Sequence, residues 1–349
     1  MHIESSYPLS PFTSFKSGGK ADTAIILEDT SQFDEAFSLA TAGPFWLLGY
    51  GSNSLIADEG LSGTTFLIRS GKITREENTL IADAGVWWDE LVTTAIASDL
   101  WGLELMSAIP GGVGAAVVGN IAAYGQAVAD TLAWIEVCDL STGTCQKINA
   151  TELDLQYRRS GVLQSNRSLT VLRAAFTLSD KPTKELEYES AAVMAREHNF
   201  DLGTLSGRRE TILKARAAAG SLWDYRDETA DRTAGSFFRN PLVDAETAER
   251  IMSYDESGKS LELLKKMNQV HGGTASRVSA AHVMLAAGFQ RGQSWGEVRL
   301  HHQHVLKIEN AGHATSKEIY DVAQHIITTV KTKLNVSLEP EIRFLGHFS

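Results

Sequence analysis

Phe45-Trp46-Leu47-Leu48-Gly49-Tyr50-Gly51-Ser52-Asn53-Ser54 is a short apolar run that opens directly into a glycine loop. Upstream, Gly18-Gly19 leads into a second apolar run, Ala24-Ile25-Ile26-Leu27. Between the two runs, Ser31-Gln32-Phe33-Asp34 has capping-box spacing, and Phe33, Ala36, Phe37 and Ala40 recur on one side of a helix. Strand, helix, strand and glycine loop make a βαβ-type beginning.

Working outward, Thr79-Leu80-Ile81-Ala82 reads as a strand, and Asp89 to Leu100 reads as a helix with Leu91, Val92, Ala95 and Ile96 at helical spacing. A second glycine loop follows, Ile109-Pro110-Gly111-Gly112-Val113-Gly114, and then a small-residue stretch holding Asn120, Tyr124 and Gly125. Trp134 to Val137 and Ser168 to Thr177 look like antiparallel strands, which makes this region α+β. Arg208 to Ala219 is a strong helix former ending at Gly220, and Asp224 to Arg232 is charged and irregular. Ser279 to Ala287 reads as a capped helix and His304 to Ile308 as a strand. Thr315 to Glu318 caps a last helix with Ile319, Val322, Ala323, Ile326 and Val330 inward.

The totals bound the function. A chain of 349 residues suggests two or three domains. A net charge of −11 argues against a nucleic-acid or acidic-membrane partner, although a few backbone N–H groups can still hold a phosphate. The N-terminus lacks a secretory pattern and no apolar run has transmembrane length, so a cytoplasmic location is expected. Cys138 and Cys145 flank a turn and could face each other across a hairpin; two reduced strand residues are the expectation.

Three stretches imitate phosphate loops. Gly258-Lys259-Ser260 lacks the opening glycine of a P-loop and a preceding strand. Gly49-x-Gly51-x-x-Ser54 follows a strand but ends in serine, and no acidic residue lies between Ile68 and Lys72 to hold a ribose. Gly111-Gly112-Val113-Gly114 has Val117 where a third glycine belongs. Two such loops separated by one α+β unit still suit a diphosphate ligand, because consecutive N–H groups form anion-binding concavities. They can equally be two ordinary tight loops. Ala234-Gly235-Ser236-Phe237-Phe238-Arg239-Asn240-Pro241 reads by itself as a loop entering a strand, with Ser236 a turn hydroxyl.

Taken jointly, these segments resemble the UDP-N-acetylenolpyruvoylglucosamine reductase family. The matching stretches are Gly49 to Ile56, Ile109 to Gly114, Asn120-Ile-Ala-Ala-Tyr-Gly125, Tyr157-Arg158-Arg159-Ser160, Gly235 to Pro241 and Leu338-Glu-Pro-Glu-Ile-Arg-Phe344. The resemblance implies an α+β, three-domain flavoenzyme: two FAD-binding domains of the vanillyl-alcohol-oxidase-like type and a substrate-binding domain. The corresponding boundaries are 1–70, 71–215 and 216–335, with 336–349 returning to the active site. It implies non-covalent FAD, NADPH as reductant, a nucleotide-sugar substrate and a role in peptidoglycan precursor synthesis; a monomer is expected. Gly49, Gly51, Ser52, Asn53, Ser54, Pro110, Gly111, Gly112, Gly114, Asn120, Tyr124 and Gly125 match the flavin-lining positions. Ser236 matches the proton donor, Arg158 the arginine facing the substrate carboxylate, and Glu341 the glutamate beside the reacting alkene. Without the resemblance, Arg158 could be a surface cation and Glu341 a partner of Arg343. Tyr188 matches a tyrosine that closes over the diphosphate in one subtype, Asn240 a diphosphate contact, and His304 a histidine or glutamine near the substrate.

One departure stands out. The diphosphate-binding lysine of the family is absent, since Ala217-Ala218-Ala219-Gly220 occupies its place. Lys214, Arg216 and Arg226 are the candidate replacements, with Arg226 preferred. Two other readings are an FAD-dependent oxidase of the same fold and a nucleotide-sugar binder that has lost its flavin.

Overall fold

The computed structural model describes residues 1–39, 43–156, 159–165, 168–255, 258–262, 265 and 275–348. The chain divides into two compact units, one of residues 1–8, 21–52 and 61–230, the other of residues 9–20, 53–60 and 231–349. The finer four-part division remains a proposal.

The first unit begins as the opening stretch predicts. Lys20–Leu27, helix Phe33–Leu39 and Phe45–Leu48 follow in order, and both strands lie parallel to Leu61–Ile68, which runs between them. Parallel neighbours need a crossover, and the helix supplies it by burying Phe33 and Ala36. The capping expectation is corrected: Asp29 caps, its carboxylate accepting the Ser31 N–H at 2.8 Å, because a 3₁₀ turn at Thr30–Gln32 precedes the helix. Ala40 lies outside the described residues.

A five-stranded antiparallel sheet follows, in the order Cys145–Asn149, Leu132–Asp139, Leu169–Thr177, Thr79–Asp83, Ile73–Glu76. Helix Trp88–Ala97 turns Trp88, Leu91, Val92 and Ala95 into the same core as Phe176 and Val137. Cys138 and Cys145 are cross-strand partners and are disulfide-bonded, which corrects the expectation of two reduced residues. The Asp139 N–H donates to Thr144 O at 2.9 Å, so the cysteines next along form a non-hydrogen-bonded pair, where side chains approach closest. Helix Leu205–Ala218 starts at Leu205 rather than Arg208 because the Thr204 hydroxyl caps it, accepting from the Gly207 N–H. Gly220, with φ +57°, follows its end.

In the second unit, helix Ser316–Leu334 buries Ile319, Val322, Ala323, Ile326 and Val330 and starts with the Thr315/Glu318 capping box read from the sequence. The Asp58 carboxylate also accepts from the Ser316 and Lys317 N–H groups at 2.8 and 2.9 Å, placing negative charge at the positive end of the helix. Helix Ala280–Ala286 is not capped by the Ser279 side chain as expected; the Asn240 side-chain oxygen accepts the Ala280 N–H at 2.9 Å. The strand expected over His304–Ile308 is instead Ile308–Asn310. His304 and Lys307 donate their N–H groups to the carbonyls of His301 and His304, at 3.2 and 3.1 Å, which closes that stretch into turns. Gly258-Lys259-Ser260 is a local cap: the Asp255 carboxylate takes the Ser260 N–H and hydroxyl at 3.1 and 2.8 Å. Among the described residues, no helix is long and apolar enough to cross a membrane.

Candidate functional site

In the first unit the two glycine loops meet. The Ser52 hydroxyl donates to Pro110 O at 3.2 Å, and a Cβ added to Gly111 would lie 3.0 Å from the Ser52 hydroxyl oxygen. Gly111 has φ +125°, a conformation L side chains rarely adopt. Gly112 sits against the Tyr50 ring, where an added Cβ would be 2.9 Å from Ala84 O and 3.4 Å from the ring. A Cβ on Gly114 would stand 2.8 Å from that of Ala84. Glycine at 111 and 112 therefore lets one loop lie directly on the other, and glycine at 114 lets the chain pack on Ala84. Gly49 and Gly51 belong to the partner loop, the latter with φ +63°.

Arg69 ties this arrangement to the sheet. Its guanidinium donates to Gly49 O at 3.0 Å and lies 4.6 Å from the centre of the Tyr50 ring. The window in which a dinucleotide fold keeps an acidic residue thus supplies a half-buried cation. The Tyr50 hydroxyl donates to Gly85 O at 2.8 Å, and burial raises its pKa. Trp87 and Tyr225 close around the same ring, with centroids 4.9 and 4.8 Å from it.

The small-residue stretch forms the next wall. Asn120 has φ +39°, its amide donating to Gln156 O at 2.8 Å and its oxygen accepting from the Ala129 N–H at 3.0 Å. Tyr124 and Gly125 also have positive φ, and a Cβ on Gly125 would meet nothing within 4 Å. Burial raises the Tyr124 pKa, with Arg216 opposing the shift. Tyr124, Gly125, Lys184, Glu185, Glu187 and Tyr188 line a cavity of about 290 Å³. Tyr188 is exposed and meets the Tyr124 ring edge-on at 5.6 Å. Lys184 donates to Gly125 O at 2.8 Å and to Asp130 at 2.6 Å. It was not singled out from the sequence, where it is one lysine among charged neighbours.

Arg226 is ion-paired with Asp224 in a two-pronged contact, and this hydrogen bond is the first cause of the lowered Asp224 pKa. Arg216 donates to Ser221 O at 2.7 Å. Tyr157 and Arg158 lie outside the described residues.

The second unit presents Ser236 on a loop made by Gly235, at φ +77°. Phe237 and Phe238 are buried, their rings 5.1 Å apart, and anchor a chain on which Ser236 itself is exposed. The Phe237 N–H donates to Leu306 O at 2.9 Å, and Ser236 bridges to Lys307. On the other side the Glu341 N–H donates to Phe237 O at 2.8 Å and Phe238 bridges to Pro340. Glu341 is therefore drawn beside the serine by backbone pairing. Asn53 holds the same segment: its amide donates to Glu341 O at 3.2 Å, and its own carbonyl accepts the Arg343 N–H at 2.9 Å. Ser54 then starts the strand Ser54–Ile56, parallel to Arg343–Leu345.

Asn240 spends its side-chain oxygen on the helix cap, and its carbonyl accepts from Arg277 at 3.0 Å. His304 accepts the Leu306 N–H at Nδ1, 3.2 Å away, which puts the ring proton on Nε2. Its pKa is pushed down to about 4 by burial first and then by Lys307, Arg291 and His301. His301 is buried and its Nε2 faces Asp231 at 3.0 Å.

Residues 227–345 match the family described as UDP-N-acetylenolpyruvoylglucosamine reductase, C-terminal domain, and residues 21–149 match an FAD binding domain. The glycine loops, Asn120, Tyr124 and Gly125 fall inside the second match. Among named relatives, a UDP-N-acetylenolpyruvoylglucosamine reductase from Streptomyces coelicolor is 30% identical over 340 residues, covering 96% of this chain and 88% of the relative. One from Saccharopolyspora erythraea is 32% identical over 347 residues, covering 95% and 93%. The crystal structure of UDP-N-acetylenolpyruvylglucosamine reductase from Thermus caldophilus superimposes with a TM-score of 0.68 at 22% identity, over 99% of this chain and 100% of the other, so the fold is the same.

Proposed function

The chain belongs to the UDP-N-acetylenolpyruvoylglucosamine reductase family, and from that premise we propose the reaction it carries out and the residues that do so. It is an FAD-containing oxidoreductase. Its reaction is reduction of the enolpyruvyl group of UDP-N-acetylglucosamine enolpyruvate to UDP-N-acetylmuramate, at the expense of NADPH, in the cytoplasm and toward peptidoglycan precursors.

The residues present fit FAD. Two glycine loops lie on one another, Gly111 holds a positive φ where a side chain would crowd Ser52, and the half-buried Arg69 stands behind them. Gly49, Gly51, Ser52, Pro110, Gly111, Gly112 and Gly114 would hold the diphosphate, with Asn53 and Ser54 continuing the first loop and Asn120, Tyr124 and Gly125 lining the remainder. When bound, the flavin supplies the two-electron relay between NADPH and the substrate double bond.

The other steps belong to this chain. As the alkene is reduced, negative charge develops on the carbon next to the carboxylate, and that charge needs donors already in place. Ser236 gives its hydroxyl proton to that carbon; Glu341 stands beside the alkene; Arg158 faces the carboxylate. Tyr188, Asn240, His304 and Arg226 contact the rest of the nucleotide sugar. Arg226 would have to leave Asp224 for part of that work, and Lys184, on the wall shared with Tyr188, is a second cation for the diphosphate.

The observation that carries this reading is the placement of the exposed Ser236 on buried Phe237 and Phe238, next to the returning segment with Glu341. Ser236→Ala tests it. Flavin reduction by NADPH should be nearly unchanged, while reoxidation by the enolpyruvyl substrate slows by about 10²–10⁴-fold, the range of a lost general acid. Equal slowing of both half-reactions would make Ser236 structural.

A further inference from the structure

Tyr50 is the bulky side chain of the first glycine loop, and what holds its ring decides how that loop stands before a ligand arrives. Its hydroxyl is bonded to Gly85 O, and the ring is met by Arg69, Trp87 and Tyr225. The ring also stands against Gly112, so it reaches from one loop to the other. Trp87 bears on the second loop directly. It opposes Gly112 in an antiparallel bridge, flanked by bonds from the Trp88 N–H to Gly111 O at 2.8 Å and from the Val113 N–H to Val86 O at 2.9 Å.

Tyr225 packs on both of these rings, 4.8 Å from Tyr50 and 5.2 Å from Trp87 between centroids. Arg69, Gly85 and Trp87 lie between the two loops in sequence, whereas Tyr225 comes from far downstream, beyond helix Leu205–Ala218. The segment that delivers it is itself fixed. Trp223 is buried, its ring 6.2 Å from that of Trp87. The Asp227 N–H donates to Asp224 O at 3.0 Å, and the Asp224 carboxylate takes both the Arg226 N–H and its guanidinium. That guanidinium lies 5.4 Å from the centre of the Tyr225 ring. Aromatic pairs at such separations contribute beyond the area they bury. A loop ordered in advance also loses less freedom when its ligand binds.

We propose that Tyr225 is a positioning residue for the cofactor. Acting through Tyr50 and Trp87, it holds the two glycine loops in the arrangement that receives the FAD diphosphate, and so slows the release of FAD. The inference rests on the reading of those loops as the diphosphate cradle.

The test follows release of FAD from the loaded full chain after dilution, through the fluorescence of the freed flavin. Tyr225→Leu removes the ring and should speed release about 5–50-fold, the loss expected for two aromatic contacts. Tyr225→Phe keeps the ring and should stay within about twofold of the wild-type rate. Added to Tyr50→Leu, Tyr225→Leu should speed release less than about threefold more, because residues that act through one another are not additive. Circular dichroism of the flavin-free chains should be unchanged. An unchanged release rate in Tyr225→Leu, a phenylalanine variant that releases as fast as the leucine one, full additivity with Tyr50→Leu, or faster release accompanied by a lost fold would each overturn the proposal. Should the leucine chain fail to fold, Tyr225→Met carries the same comparisons. Gly111→Ala separates this inference from the reading beneath it. Release unchanged by Gly111→Ala would overturn the cradle itself, whereas faster release there with no change in Tyr225→Leu would overturn the inference alone.

Discussion

Replacing Arg208 by methionine probes the buried ion pair that supports the second glycine loop. Arg208 and Glu104 have side chains 3% and 0% exposed, with a guanidinium-to-carboxylate distance of 3.2 Å. Arg208 also donates to Leu202 O at 2.8 Å and Lys184 O at 2.5 Å, and lies over the Trp101 ring at 5.1 Å. Glu104 accepts the Gly102 N–H at 2.8 Å and begins the 3₁₀ turn Glu104–Met106 just before Ile109 to Gly114. Arg208→Met leaves a fully buried carboxylate with, among the described residues, one backbone N–H and no counter-charge. Removing one partner of such a pair costs about 3–5 kcal/mol. Glu104→Gln keeps the acceptor for Gly102 and leaves Arg208 its two carbonyls, so its cost is nearer about 1–3 kcal/mol. The double variant should cost less than the sum, since the two side chains share one contact. Urea unfolding followed by tryptophan fluorescence measures all three. A loss below about 1 kcal/mol in Arg208→Met, with Glu104 intact, would show that water reaches the carboxylate and that the buried-pair argument is wrong.

Two more predictions bear on the sites. His304, neutral with a pKa of about 4 when folded, titrates near about 6.5 when unfolded, so the unfolded chain binds a proton that the folded chain refuses. Stability should therefore be complete above about pH 6.5 and fall as pH drops toward 4; His304→Gln should flatten that part of a pH–stability profile, and an unchanged slope would contradict the assignment. Gly111→Ala forces an L side chain to φ +125° and a Cβ to 3.0 Å from the Ser52 hydroxyl, a strain of about 1–3 kcal/mol. The flavin retained per chain after purification should drop, and full retention would remove Gly111 from the cradle.

The fold was legible wherever one local signal met no competitor. The run Phe45 to Leu48 ending in Gly49, and the Thr315 cap with its inward Ile319, Val322, Ala323, Ile326 and Val330, carry periodicity and capping in the same residues. Errors arose where a distant residue took over a local role. Asn240 caps the helix that Ser279 seemed made to cap, and Thr204 starts one ahead of Arg208. The cysteines failed for another reason: separation in sequence does not reveal whether a pair sits at a hydrogen-bonded or non-hydrogen-bonded register position. The site motifs were visible because glycines and a lone serine on an aromatic anchor are compositionally odd. Arg69 and Lys184 were not, since only the fold shows what stands opposite them.

The central claim is that this chain passes electrons from NADPH through bound FAD to an enolpyruvyl nucleotide sugar. The visible spectrum of the purified protein tests it in one experiment. Without oxygen, NADPH should bleach the flavin band, and UDP-N-acetylglucosamine enolpyruvate added next should restore it while forming UDP-N-acetylmuramate. A flavin that NADPH bleaches and only oxygen restores, or a protein that takes up no FAD, would contradict the account.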